Sequence, residues 1–160
     1  MTSSELFTSW SDHDRAVQRM FELVRSTLLV FDGDLSHLAL ERPERIAALR
    51  RVLGAADFHR RVTIVVRRAD FVRQYCPQLI ELLANHAPTL TIIHAPPQIA
   101  AASESLLIAD GEHALVRFDD DQPRCRLITG NSTECAPYLA RFAEILGEGG
   151  DPLSATTLGL

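Results

Sequence analysis

Apolar positions along the chain follow two different spacings, and these predict alternating strands and helices. Continuous β-rich runs at 27–31, 62–66 and 89–93 are typical of strands buried on both faces of a sheet. Apolar residues recurring every three or four positions predict intervening helices over about 11–25, 41–54 and 77–85. Because helices separate these strands, the centre of the sheet is expected to be parallel.

The second half of the chain adds a hairpin. Apolar runs at 106–109 and 114–116 flank Asp110-Gly111, a dipeptide that favours a tight antiparallel turn. A further run at 125–129 predicts an edge strand, and a last helix is expected to begin near Asn131. The pattern as a whole predicts an α/β fold with a mixed sheet flanked by helices on both faces.

The chain of 160 residues suits one domain of ordinary size. We expect that domain to occupy 11–146. The first ten residues and the stretch 147–160 show little periodicity, so both termini are predicted to be flexible.

Composition and charge narrow the classes of function. A net charge of -5 makes nucleic acid an improbable partner, because neutralising phosphates requires a basic surface. No apolar run reaches the roughly 18 residues that a membrane span needs, and the polar start does not resemble a signal peptide, so we expect a cytoplasmic protein. The three cysteines form no C-x-x-C pair, and we predict neither a metal site nor a cofactor. Every basic residue is arginine, which excludes mechanisms that need a catalytic lysine.

Candidate site residues follow the ends of the predicted parallel strands, where ligands bind in such sheets. They are Asp32 and Asp34 after the first, Arg67 and Arg68 after the second, and His94 after the third. Arginine forks suit phosphate or carboxylate, and paired aspartates suit a divalent cation. The same residues are also compatible with a turn, a solvated basic edge and a hydrogen-bonded imidazole.

Six segments in order resemble one half of a phospholipase D-like fold: a helix leading to LLVFDGDL, then RPERIAALRRVL, RVTIVVRRADFVRQYCPQLIELL, LTIIHAPP, ESLLIADGEHALVRF and a helix after GNST. More narrowly, the chain is similar to an uncharacterised family of bacterial phospholipase D-like domains, found alone or behind an acetyltransferase-like domain. Active relatives carry H-x-K-x4-D, in which His is the nucleophile, Lys binds phosphate and Asp orients the His.

The resemblance places that His at Ser103, the Lys at Ser105 and the Asp at Asp110. The family's downstream G-S-x-N corresponds to Arg117-Phe118-Asp119. No catalytic residue is therefore expected, since serine supplies neither a nucleophilic imidazole nor a fixed positive charge. Because active relatives pair two motifs face to face, the resemblance also implies a homodimer.

These observations favour a non-catalytic binding or regulatory module for a small anionic ligand or a protein partner. Two alternatives remain. Asp32, Asp34 and Ser36 fit the D-x-D-x-T/S motif of Mg²⁺-dependent haloacid dehalogenase-like phosphatases, although the chain lacks that family's lysine. The second alternative is a purely structural or assembly domain of a larger complex, using the basic edge at Arg67 and Arg68 and the tail from residue 147 on.

Overall fold

The apolar runs predicted as buried strands form the parallel centre of the sheet. A computed structural model describes residues 2–155. The strands in chain order are β1 Ser3–Phe7, β2 Thr27–Asp32, β3 Arg61–Val66, β4 Leu90–His94, β5 Ser105–Ala109, β6 His113–Arg117, β7 Cys125–Thr129 and β8 Asp151–Pro152. They make one eight-stranded sheet in the spatial order β1-β7-β6-β5-β2-β3-β4-β8. Strands β2, β3 and β4 are mutually parallel.

The β5–β6 hairpin joins the sheet beside β2, and both of its strands run antiparallel to their neighbours. Phe31 pairs with Leu106, so the start of β5 lies against the end of β2. The hairpin turn at Asp110 and Gly111 adopts positive φ at both residues, 55° and 69°, as the Asp-Gly dipeptide predicts.

Helices cover both faces of the sheet and enclose two apolar cores. The helices are α1 Trp10–Leu23, α2 Pro43–Leu53, α3 Asp70–Tyr75, α4 Pro77–His86, α5 Pro97–Ala100 and α6 Ser132–Gly147. One core receives the inner faces of α1, α2 and α4, and the other receives α5 and α6. The starts of three helices are explained by local sequence. Pro43 and Pro77 occupy the first positions of α2 and α4, and at the start of α6 the Asn131 side chain accepts a hydrogen bond from Glu134 N.

The chain ends differ from the flexible segments expected from sequence. Ser3–Phe7 forms an edge strand along β7, so β7 is not the edge strand that its sequence suggested. Asp151–Pro152 pairs with β4, and Leu153 is buried beyond it. Backbone hydrogen bonding needs no apolar periodicity, which is why these polar segments gave no signal. The last part of the expected tail, 156–160, lies outside the described residues.

No helix within 2–155 is long and apolar enough to cross a membrane.

Candidate functional site

Four strand ends meet at one edge of the sheet and bring charged side chains together. Asp32 ends β2, and Arg67 follows β3. Because β5 runs antiparallel to β2, its first residue Ser105 lies beside Asp32. Arg117, the last residue of β6, pairs with Ser105 across the hairpin. Sheet register therefore assembles groups that are far apart in sequence.

Asp32 is almost fully buried, and both of its carboxylate oxygens accept hydrogen bonds. Oδ1 accepts from Ser105 Oγ at 2.5 Å and from Arg117 Nη2 at 2.9 Å, while Oδ2 accepts from Leu35 N at 2.8 Å. Both Asp32 and Arg117 have 1% relative exposure. A nucleophilic or Mg²⁺-binding aspartate needs an accessible oxygen, so this burial leaves the haloacid dehalogenase alternative without support.

Arg117 connects the buried pair to an aromatic cluster. Its Nη1 donates to the Asp120 carbonyl oxygen, and its guanidinium lies 5.3 Å from the Trp10 ring centroid. Trp10 in turn stacks on His37, with centroids 4.0 Å apart. Arg117 Nε is buried and has no hydrogen-bond partner among the described residues, which is unusual for a buried donor.

Arg67, Arg68 and Gly33 surround the carboxylate of Asp120, and we call these three residues the arginine cradle. Arg67 is 3% exposed, and its Nη2 lies 2.7 Å from Asp120 Oδ2. Arg68 Nη2 lies 3.6 Å from the same oxygen. A Cβ at Gly33 would collide with the Asp120 carboxylate and lie 2.7 Å from Arg68 Nη2, so any other residue there would push these side-chain ends aside.

Arg67 is fixed by further contacts. Its Nη1 donates to the Glu104 carbonyl oxygen at 2.7 Å, and its guanidinium lies 4.8 Å from the Phe31 ring centroid. A guanidinium held in this way is pre-organised, with its Nη2 presented to an oxyanion.

Asp34 and His94 lie around the cradle. Burial disfavours the charged form of Asp34, but hydrogen bonds from the Ser36 hydroxyl and backbone N–H, with the nearby Arg68 charge, give it a lowered pKa. His94 Nε2 lies 3.1 Å from the Arg67 carbonyl oxygen. His94 and Arg67 also line a cavity of about 530 Å³ with Pro96, Pro97 and Asp151 among its walls.

The fold places the predicted site residues Ser103 and Asp110 differently. Ser103 is exposed, and it is the Ser103 carbonyl that accepts a hydrogen bond from Asp120 N at 2.7 Å. Asp110 lies at the opposite end of the sheet, where its carboxylate accepts backbone hydrogen bonds from Arg25, Ser26 and Thr27 at 2.9 to 3.0 Å. Of the eight predicted site residues, Asp110 is thus the one that the fold separates from the others.

Arg117, Asp120 and Trp10 join the site without having been predicted from sequence. Arg117 lies inside an apolar strand pattern, and Asp120 lies in the acidic loop 119–121. Carboxylate oxygens of all three loop aspartates lie within 4.8 Å of one another. Asp120 is committed to Arg67, however, so a cation fits this loop poorly. The signal that the sequence did offer was the resemblance, which aligns Arg117 with the start of the G-S-x-N of active phospholipase D relatives.

Comparisons with known proteins place this geometry in a fold class. No family model matches the chain, and no curated protein matches it in sequence. Solved structures do. Nuc from Salmonella typhimurium, a phospholipase D family member, superposes with a TM-score of 0.65 at 13% identity, covering 96% of this chain and 99% of Nuc.

Two further structures belong to longer chains. Phosphatidylserine synthase from Haemophilus influenzae Rd KW20 gives a TM-score of 0.66 at 12% identity, covering 98% of this chain and 41% of the synthase. TrmBL2, an archaeal chromatin protein with a novel mode of DNA binding, gives 0.69 at 14% identity, covering 92% of this chain and 54% of TrmBL2. This chain thus spans about half the length of TrmBL2.

The chain has a phospholipase D-like fold, in the form of a single α/β half-domain. The fold class predicted from the sequence is confirmed. Likenesses at this level of identity establish the fold and leave the activity to be argued from the site.

Proposed function

We propose that this chain is a non-catalytic phospholipase D-like binding or regulatory module that takes an anionic ligand at the arginine cradle. Ser103 and Ser105 occupy the positions of the catalytic His and Lys. Ser105 is instead hydrogen-bonded to buried Asp32, so its hydroxyl is already committed within the protein. Loss of the chemistry together with retention of the fold is what binding descendants of enzymes have in common.

One observation carries the proposal: two guanidinium groups converge on a single oxyanion at the carboxyl edge of the parallel strands. Arg67 is buried and fixed, whereas the Arg68 side chain is 58% exposed. A buried charge is costly unless it is paired, so the cradle always requires an anion beside Arg67. The exposed Arg68 gives an incoming anion its route from solvent.

Calorimetric titration with pyrophosphate and with inorganic phosphate tests this proposal. We expect binding by the wild type and a loss of roughly tenfold in affinity for Arg68→Gln, because one charged partner is removed. Arg50→Gln is the matched control, since Arg50 is an exposed arginine on α2. Equal affinities for the two variants would reject the cradle as the ligand site.

A hydrolysis assay separates the module from an enzyme. We expect no turnover of a generic phosphomonoester or phosphodiester, with or without Mg²⁺. Mg²⁺-dependent monoester turnover that disappears in Asp32→Asn would overturn the proposal and make Asp32 a nucleophile.

Partners remain predictions. The homodimer implied by the family resemblance predicts twice the chain mass on gel filtration at micromolar concentration, and the mass of one chain would reject it.

TrmBL2 binds DNA, whereas the net charge of -5 here argues against nucleic acid. We therefore expect no shift of a DNA duplex at physiological salt. The cytoplasmic location and the relation to a bacterial family likewise stay expectations from sequence.

A further inference from the structure

The arginine cradle already holds an anion, and that anion is part of the chain. The loop between β6 and β7 delivers Asp120 into the cradle, where Oδ2 lies 2.7 Å from Arg67 Nη2. The Asp120 side chain is 14% exposed, although its loop neighbours Asp119 and Asp121 are exposed. The cradle thus contains a carboxylate in the position that a ligand oxyanion would take.

A carboxylate satisfies this cradle incompletely. Arg68 Nη2 lies 3.6 Å from Asp120 Oδ2 and 3.9 Å from Asp34 Oδ2, which are ion-pair separations too long for hydrogen bonds. A phosphate group carries more oxygens and up to two negative charges, so it can accept hydrogen bonds from Arg67 and Arg68 together. The cradle therefore favours phosphate over the carboxylate that occupies it.

We infer that Asp120 is an internal competitor, and that a phosphate-bearing ligand binds by displacing the Asp120 carboxylate and moving the loop 118–124. This inference rests on the proposed function, because both use Arg67 and Arg68. Displacement uncovers little of the apolar core, since Phe118, Asp119 and Asp121 are already exposed. It replaces one anion on Arg67 by another, so the buried guanidinium is never left unpaired.

Movement of Asp120 would also affect Arg117 and Trp10 on the other side of the site. The Asp120 carbonyl oxygen accepts from Arg117 Nη1, and the Arg117 guanidinium lies over the Trp10 ring. Trp10 is the first residue of α1 and the only tryptophan in the chain. Loss of the Asp120 contact frees one end of Arg117, which changes the environment of Trp10. The ligand is thereby coupled to the start of α1, and Trp10 fluorescence reports the coupling.

The test titrates inorganic phosphate into the wild type, Asp120→Asn and Asp121→Asn, followed by calorimetry and by Trp10 fluorescence. We expect Asp120→Asn to bind phosphate about tenfold more tightly than the wild type, because the internal competitor has lost its charge. Asp121→Asn makes the same change in net charge on the same loop, and its affinity should match the wild type. Phosphate should shift Trp10 emission in the wild type, and Asp120→Asn should show part of that shift without phosphate.

The outcomes distinguish phosphate binding at the arginine cradle from competition by Asp120. Equal phosphate affinity for the wild type and Asp120→Asn overturns the competition but leaves the cradle as a binding site. Absence of binding in both chains, with Asp120→Asn folded, overturns the proposed function together with this inference. Equal gains in phosphate affinity for Asp120→Asn and Asp121→Asn would show that the gain comes from the change in net charge. That result would also reject the competition.

A measurement on the wild type covers the case in which Asp120→Asn does not fold. Asp120 N donates to the Ser103 carbonyl at 2.7 Å, which should slow hydrogen exchange at that amide. Saturating inorganic phosphate should speed exchange at Asp120 by about tenfold if the loop moves. Unchanged or slower exchange at Asp120 in a phosphate-saturated sample would reject the displacement.

Discussion

The two ends of the β5–β6 hairpin are stabilised by different kinds of interaction. At the turn, Asp110 adopts a φ of 55°, and its carboxylate accepts hydrogen bonds from three consecutive backbone N–H groups that lead into β2. At the open end, Ser105 and Arg117 converge on buried Asp32. The turn end is built from neutral donors near solvent, whereas the open end buries opposite charges.

This difference decides which end is available for function. At the turn, the Asp110 carboxylate is satisfied by backbone N–H donors. The open end holds ion pairs in a low-dielectric setting, where a lost partner is costly and an exchanged partner is tolerated. The proposed exchange of a ligand anion with Asp120 belongs to the open end, where Asp120 is paired with Arg67, whereas the Asp110 carboxylate at the turn is bound by backbone N–H groups.

The largest expected effect comes from breaking the buried pair. Arg117→Met leaves the Asp32 charge buried with only Ser105 Oγ and Leu35 N as donors. We expect a loss of about 3 to 5 kcal/mol in the free energy of unfolding, because an uncompensated buried charge remains. Urea denaturation at neutral pH measures it.

The control for this change removes both charges. Asp32→Asn combined with Arg117→Met leaves neither member of this pair charged, so the double variant should recover a large part of the loss. Losses that simply add in the double variant would contradict the view that the pair holds this end of the hairpin through charge.

Titration of His13 gives the next largest effect. His13 is 2% exposed on α1, and burial, then the Arg117 charge, lowers its pKa from 6.5 to about 4. The unfolded chain takes up a proton below pH 6.5 that the folded chain resists. Stability contributed by the neutral imidazole is therefore complete above pH 6.5 and is lost as pH falls toward 4.

Between those pH values we expect His13 to account for about 2 to 3 kcal/mol of lost stability. The measurement compares urea denaturation of the wild type and His13→Gln at several pH values between 4.5 and 7. Carboxylates titrate in both chains, so the difference between the two slopes isolates His13. Parallel slopes would show that His13 is not buried in its neutral form.

At the turn end, Asp110→Ala should cost less. Three backbone donors lose their acceptor, but water can replace it because Arg25 is exposed and its neighbours are partly exposed. Alanine also tolerates positive φ less well than aspartate. We expect a loss of about 1 to 2 kcal/mol, and a smaller one for Asp110→Asn, which keeps an acceptor. Phosphate affinity should not change in either variant, and a change would mean that the two ends are coupled.

The same comparison explains how much could be predicted from sequence. The turn was predictable because Asp110-Gly111 carries its conformational preference locally. Convergence of Asp32, Arg67 and Arg68 followed from the rule for parallel strand ends. Arg117 and Asp120 could not be assigned, because the partner of Arg117 lies 85 residues away and depends on the register between β2 and β5. Strand β1 was missed for a similar reason, since its pairing with β7 spans nearly the whole chain.

Ser105→Ala should give the smallest effect and tests what the Ser105 hydroxyl contributes to the open end. Ser105 Oγ donates to Asp32 Oδ1 at 2.5 Å. Asp32 Oδ1 also accepts from Arg117 Nη2 at 2.9 Å, and this second hydrogen bond does not depend on the serine. Alanine therefore removes one hydrogen bond without leaving the carboxylate unpaired, and we expect a loss of about 1 kcal/mol in urea denaturation. A loss as large as that of Arg117→Met would mean that the serine, not the arginine, stabilises Asp32. A loss of about 1 kcal/mol would place the stabilising role on Arg117.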